Sequence, residues 1–392
     1  MTTTLFVTPR GLLPASLPPS TPVVKGSHPL LRIAMIAPPW YTVPPAGYGG
    51  VETVVADLVD ALVDRGHHVT LVGAGEAGTK AQSFLSTFAT PPGEKLGEAL
   101  PEVVHTARVG QLLDDLDVDL VHDHTLAGPL LARGRCMPTV VTAHGPVTGP
   151  EGDYYRELGD TVGLIAISEA QRAPAPSLPW LATAHNGVHV DSFPFRADKE
   201  DYALFLGRFH PQKAPHLAID AARACGVRVV LAGKCQEPIE REYFDREIRP
   251  RLGSDVHIFG VADAAAKRGL LAAASCLLFP ICWEEPFGMV MIEAMACGTP
   301  VVALRRGSVP EIVRDGLTGA IADTPEQLPS AMARIADIDP IDCRAHVATH
   351  FNVDTMAARY EIAYARLLSE FAESGQGRRV HRHHHATVPI VA

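Results

Sequence analysis

Glu293 is the residue most in need of a chemical reason in this 392-residue chain. It stands between Met291, Ile292, Ala294 and Met295 in a segment that reads as a core-facing helix. That helix is expected to open near Phe287 and to stop at Gly298, which can take the left-handed conformation after the last turn. A carboxylate in such a place loses its hydration, a cost of several kcal/mol unless a polar group meets it. Glu285 lies just ahead of the helix start. The first amides, those of Phe287, Gly288, Met289 and Val290, form the positive end of the helix dipole and make a natural seat for phosphate. Carboxylates to hold hydroxyls, next to amides to hold phosphate, suggest a nucleotide-sugar ligand.

Other chemistry-bearing residues also follow apolar, strand-like runs. Arg208 and Lys213, in Gly207-Arg208-Phe209-His210-Pro211-Gln212-Lys213, place two cations where a diphosphate could be met. Gly47-Tyr48-Gly49-Gly50-Val51-Glu52 opens a helix, and its glycines let the backbone come close to a ligand. His144 ends a strand in Thr142-Ala143-His144-Gly145. In His122-Asp123-His124 the alternation of an extended segment puts both imidazoles on one face. Without a further ligand cluster that triplet is read as lining the acceptor side of a cleft, not as a metal site. Asp117-Val118-Asp119 precedes its strand and reads as a solvated strand start. Gly73-Ala74-Gly75-Glu76-Ala77-Gly78 has the form GxGxxG, but it follows the second strand and no amphipathic helix comes after it, so a dinucleotide site is not expected.

Together these residues carry a resemblance. The spacing from Glu285 to Glu293, with Pro-Phe-Gly after the first and Ala-Met-Ala-Cys-Gly-Thr-Pro after the second, resembles the E-x7-E motif of glycosyltransferase family 4. The resemblance covers roughly Leu31 to Phe371. It implies a retaining enzyme of the α/β GT-B fold, two facing Rossmann-like domains with parallel sheets and an interdomain cleft. Arg208 and Lys213 would then bind the donor pyrophosphate, with Ala214 where the family usually has glycine. Gly49 and Gly50 would approach the donor phosphate and the acceptor, with Tyr48, Glu52, His122 and His124 on the acceptor side. His144 and Glu285 would hold the donor sugar, Glu293 the ribose, and Gly260 and Val261 the nucleobase. The implied reaction moves a hexose from a UDP- or GDP-sugar to an acceptor hydroxyl with neither cofactor nor metal. The acceptor could be a saccharide, a lipid-linked sugar or a small metabolite. A sugar-nucleotide epimerase and a non-catalytic sugar-nucleotide-binding protein are the alternatives.

The elements that must position these residues are legible as alternation. Leu31 to Ala37 is an unbroken apolar run of the kind buried in a parallel sheet, followed by a Pro/Gly loop and a helix from Val51 to Arg65. Strands are expected at 68–72, 119–122, 139–142 and 163–167, and again at 203–206, 228–231, 256–259, 276–279 and 300–304. A polar break at 186–199 divides them into an acceptor-side domain, 31–190, and a nucleotide-sugar-binding domain, 191–352. A last helix, 353–373, is expected to cross back onto the first domain. Residues 1–30, rich in Pro, Thr and Ser, read as a disordered extension and not a signal peptide. The His/Arg-rich residues 374–392 read as a disordered tail.

Composition sets outer bounds. Apolar residues are 47% and charged residues 20%, as in ordinary globular proteins, and a net charge of -10 argues against a nucleic-acid partner. The seven scattered cysteines, without a CxxC pair, read as free thiols of a cytoplasmic protein. No run reaches the roughly 18 apolar residues that would span a bilayer, while peripheral membrane contact stays open.

Overall fold

The computed structural model describes residues 29–47 and 49–374. Tyr48 and nearly all of the two tails read above lie outside the described residues. Among the described residues thirteen parallel strands form two sheets. The first contains β1 (Arg32–Ile36), β2 (His68–Gly73), β3 (Ser83–Ser86), β4 (Leu120–Asp123), β5 (Thr139–Ala143), β6 (Gly163–Ala166) and β7 (Trp180–Thr183), in the order β3-β2-β1-β4-β5-β6-β7. The second contains β8 (Tyr202–Leu206), β9 (Arg228–Ala232), β10 (Val256–Gly260), β11 (Cys276–Phe279), β12 (Val301–Leu304) and β13 (Gly319–Ala322), in the order β10-β9-β8-β11-β12-β13. Helices interleave with the strands throughout, giving the α/β two-domain architecture expected from the alternation.

Strand order decides where a ligand can go. In each sheet the direction of winding reverses once, between β1 and β4 in the first and between β8 and β11 in the second. Ligands enter open α/β sheets at that reversal, beyond the carboxyl ends of the strands, because the connections there run to opposite faces and leave a crevice. β8 and β11 pair only at Ala203–Cys276 and Leu204–Leu277, so their last residues are free to part. The loops that follow these four strands carry the glycine loop, His124, Arg208, Lys213 and Glu285.

Two crossings join the halves, and they lie side by side. Val188 donates its N–H to the Phe351 carbonyl at 2.9 Å and forms a bridge with Asn352. A Cβ on Gly187 would stand 2.5 Å from the Asn352 carbonyl oxygen, so only glycine permits this approach. The helix Val353–Glu373 then lies on the first sheet. Its Met356, Tyr360 and Tyr364 complete the core made by Ile33, Met35, Leu58, Leu62 and Leu71, and Arg65 clamps its Glu361 at 2.6 Å.

Three strands were not expected from the sequence: β3, β7 and β13. All three are edge strands. The segment Gly73–Gly78 links β2 to β3 without a helix, so the GxGxxG form has no helix N-terminus to offer a pyrophosphate. No helix among the described residues is long and apolar enough to cross a membrane.

Candidate active site

The helix that carries Glu293 runs Met289–Ala296, two residues shorter at its start than expected. Gly288 precedes it with φ 80°, and this left-handed residue, not Phe287, turns the chain into the helix. The amides of Met289 and Val290 therefore open the first turn, without partners inside the helix. Gly298 takes φ 77° past the other end, as its position suggested. Phe287 points away from the cleft. Its ring is buried between His185 and Phe351, and its carbonyl accepts from the Ser308 hydroxyl at 2.7 Å.

A cleft of about 690 Å3 lies between the halves. From the second half it is lined by Arg208, Lys213, Glu285, Gly288, Met289, Val290, Glu293 and Val261, and from the first by Gly47, Gly49, Gly50 and Thr53. A smaller lobe of about 400 Å3 continues from it, sharing Tyr41, Gly49, Gly50 and Leu96, and is lined further by Glu52 and His124. The glycine loop thus stands at the junction of two chambers. Gly49 has φ 147°, and a Cβ there would press on Pro45 at 2.8 Å.

Each carboxylate of the motif is met by a cation. Glu293, 6% exposed, accepts from the Lys267 ammonium at 2.7 Å. Glu285 pairs with Lys213 through Oε2, and the Trp283 indole N–H donates to the same oxygen at 3.0 Å. Lys213 also lies 5.2 Å from the Trp283 ring centroid, a cation–π distance. Arg208 is within 3.4 Å of Glu237 and 3.6 Å of Glu240, and Lys234 reaches Glu237 at 3.1 Å. Ala214, where glycine was noted as usual, keeps the left-handed conformation with φ 49°, alone in this among the non-glycine residues described.

The loop 306–308 cradles Glu285 from behind. Gly307 donates to the Glu284 carboxylate at 2.6 Å and Ser308 to the Glu285 carbonyl at 3.0 Å. A Cβ on Gly307, whose φ is 50°, would fall 2.2 Å from the Glu285 carbonyl oxygen.

The histidines divide. His124 lines the smaller lobe, but His122 does not. It is fully buried, bonded to the Tyr364 hydroxyl and to the Thr142 hydroxyl, each at 2.8 Å, with its ring centroid 4.1 Å from that of His124. The strand β4 does put both on one face, but that face is covered by the helix Val353–Glu373. Placing His122 on the acceptor side was therefore wrong. His144 is largely buried and lines neither chamber; its Nε2 is 2.8 Å from His124 Nδ1. Burial pushes the His144 pKa down to about 4 and holds His122 and His124 well below the usual imidazole range, so this chain of rings is neutral near pH 7. Among the described residues no group of three or more His, Cys, Asp or Glu is arranged to hold an ion.

Glu52, 3% exposed in the smaller lobe, is pushed up to about 7 by burial, against the backbone N–H groups that favour its charge. A carboxyl titrating near neutrality can either accept from or donate to a hydroxyl placed beside it. Val261 lines the cleft, while Gly260, at the end of β10 with φ 85°, only directs the chain towards it. Sequence reasoning missed Lys267, Trp283 and Lys234. Lys267 sits in an alanine-rich helix, Ala264–Ala273, where nothing in the spacing sets it apart.

Comparison with known proteins decides the family. Residues 191–341 match the family described as "Glycosyl transferases group 1" and residues 48–192 the one described as "Glycosyltransferase Family 4". A D-inositol 3-phosphate glycosyltransferase of Mycolicibacterium paratuberculosis is 32% identical over 309 residues, 66% of this chain and 69% of the relative. The chain belongs to glycosyltransferase family 4. A phosphatidyl-myo-inositol mannosyltransferase of Mycobacterium leprae is 26% identical over 355 residues, 78% of this glycosyltransferase and 87% of that one. The solved structure of AviGT4, a glycosyltransferase involved in avilamycin A biosynthesis, superposes with a TM-score of 0.68 at 28% identity, over 87% of this chain and 98% of its own. The architecture of this glycosyltransferase is the GT-B fold.

Proposed function

We propose that the protein transfers a hexose from a nucleotide-sugar, a UDP- or GDP-sugar, to an acceptor hydroxyl with retention of anomeric configuration and without a metal. One observation carries this reading. Arg208, Lys213, Glu285, Glu293 and the amides of Met289 and Val290 converge on a single cleft from two separate loops and one helix.

In this reading residues 191–352 take the donor and residues 31–190 the acceptor. Glu293 accepts the ribose hydroxyls in exchange for Lys267, and the nucleobase lies by Val261. The diphosphate sits between Arg208, Lys213 and the helix N-terminus. As the bond from the anomeric carbon to the phosphate oxygen breaks, these groups stabilise the charge left on the diphosphate. The acceptor hydroxyl attacks from the same face and gives its proton to the departing phosphate oxygen. Glu285, fixed by Lys213 and Trp283, holds the hydroxyls of the transferred sugar. Glu52 orients the acceptor from the smaller lobe. His144, one hydrogen bond behind His124, acts through that ring. Because two cations and a helix terminus already supply a positive field, no metal or cofactor is required. The seven cysteines are all unpaired, which suits the cytoplasm.

Proton NMR of fresh product made in excess EDTA tests the reading. Retained configuration at full activity is expected. An inverted product, or activity that manganese restores, would place the enzyme in another mechanistic class.

A further inference from the structure

Six large apolar side chains stand out of the first half close together: Leu96, Leu100, Val103, Leu126, Leu130 and Leu131, each between 41% and 69% exposed. They come from three places in the sequence, and the fold joins them. Leu100, Val103, Ala107 and Gly110 fall on one stripe of the helix Ala99–Leu113, whose Pro101, His105, Val109 and Leu113 face the core. Leu131 adjoins the far end of that stripe, since a Cβ on Gly110 would lie 3.1 Å from its Cδ1. At the near end the Glu102 carboxylate accepts from the N–H groups of Leu126 and Ala127, drawing Leu126 against the first turn. Leu96 and Leu126 also line the smaller lobe, beside His124 and Glu52. The patch therefore runs outward from the mouth of that lobe. Single exposed leucines are ordinary, but a contiguous set at a pocket rim marks a binding surface.

We propose that this patch holds the apolar body of the acceptor, so that the acceptor class is a hydroxylated compound with a hydrocarbon or aromatic portion next to the reacting hydroxyl. This rests on reading the smaller lobe as the acceptor chamber. Charge selects the occupant. The charged residues of these segments are Glu94, Lys95, Glu98, Glu102, Arg108 and Arg133, three carboxylates and three cations, and Arg108 is engaged by the Thr87 carbonyl and the Phe88 ring, so no basic cluster flanks the patch. An anionic bilayer is held by clusters of roughly four to eight Lys or Arg, a different pattern.

The test is calorimetric, on the full chain, with methyl and n-octyl β-D-glucoside (the latter below its micelle concentration) as probes. The octyl compound should bind at least tenfold more tightly, given what burying several methylenes contributes. The double variant Leu100→Ser with Leu130→Ser should lose about tenfold for the octyl compound alone and keep wild-type affinity for UDP or GDP. Equal binding of the two glucosides, or an unaffected double variant, overturns the proposal. So does binding to phosphatidylcholine–phosphatidylglycerol vesicles that the double variant abolishes while the glucosides are not distinguished. The nucleotide titration separates the two levels: a wild-type chain that binds no nucleotide refutes the cleft reading, whereas loss of alkyl discrimination in a chain that binds nucleotide refutes the patch alone.

Discussion

The cations that face the proposed diphosphate position are spoken for by carboxylates: Lys213 by Glu285, Arg208 by Glu237 and Glu240. Such pairs keep the charges fixed in a partly desolvated cleft, so that little reorganisation is needed when negative charge develops on a leaving group. Arg208→Ala and Lys213→Ala should therefore each depress turnover by about 10²–10³ while changing donor affinity less. Steady-state kinetics with separate kcat and KM values checks this, and near-normal kcat in both variants would put these cations outside the reaction centre. That Glu285, Glu293, Arg208 and Lys213 share one cleft was legible in the sequence, from a carboxylate in an apolar helix, two cations after a strand and the resemblance to the E-x7-E motif. Lys267 and Trp283 were not, because a lysine in an alanine-rich helix and a tryptophan in a loop have unremarkable local alternatives. His122 misled for a related reason: alternation on β4 gives its face, but only the arrival of Tyr360 and Tyr364 from far along the chain decides whether that face is open.

At the scale of elements, the loop behind Glu285 and the contact beside the crossings bear most of the positioning. Gly307→Ala adds a Cβ in a left-handed residue, a strain of roughly 1–2 kcal/mol, and presses it on the Glu285 backbone. A small displacement of a reacting group can cost up to about a hundredfold, so turnover should fall by roughly ten- to a hundredfold while the protein remains folded. Unchanged kcat would show that Glu285 is held by other means. Glu311 reaches from the second half to the first. It accepts from the N–H groups of Glu169, at 2.9 Å, and Ala170, and from His185 Nε2 at 3.0 Å, while His185 Nδ1 is 2.8 Å from Arg359. Burial alone would raise its pKa, yet these donors outweigh burial and hold it below the usual carboxylate value. Glu311→Ala should cost about 1–3 kcal/mol, read as a lower urea midpoint, because it leaves donors without their acceptor. The missed strands β3, β7 and β13 share one cause. They carry few large β-branched or aromatic residues, one in Ser83-Phe84-Leu85-Ser86 and one in Gly319-Ala320-Ile321-Ala322, so the signal that revealed the other strands is weak in them.

For the whole molecule, burial of ionisable groups sets a pH dependence. His105, His122, His124, His144 and His346 are depressed by burial, three of them to about 4, so the unfolded chain binds more protons than the native one between about pH 4 and 6.5. Their contribution is complete above pH 6.5 and is lost as the pH falls. Glu52 and Asp57, raised to about 7 by burial, and Asp123, raised likewise, act in the opposite sense over the same interval. Five histidines outnumber three carboxylates, so the melting temperature should rise from pH 4.5 to 6.5. A scanning calorimetry series in buffers of low ionisation heat checks the sign, and a falling Tm would mean that the rings are charged in the native state. The two-domain organisation was legible because alternation restarts after the polar break at 186–199. The side-by-side crossings at 187–188 and 351–352 were not, since they join residues far apart in sequence.

In the proposed function the interdomain cleft holds a nucleotide-sugar by its diphosphate and ribose. Calorimetric titration of UDP and GDP into the wild-type chain and into Glu293→Gln tests it most directly. Glutamine keeps the volume but loses charge-assisted bonds of about 1.5–3 kcal/mol, so one of the nucleotides should bind the wild type and bind the variant roughly tenfold or more weakly. A wild-type chain that binds neither nucleotide, or a folded variant that binds as well as wild type, would contradict the account.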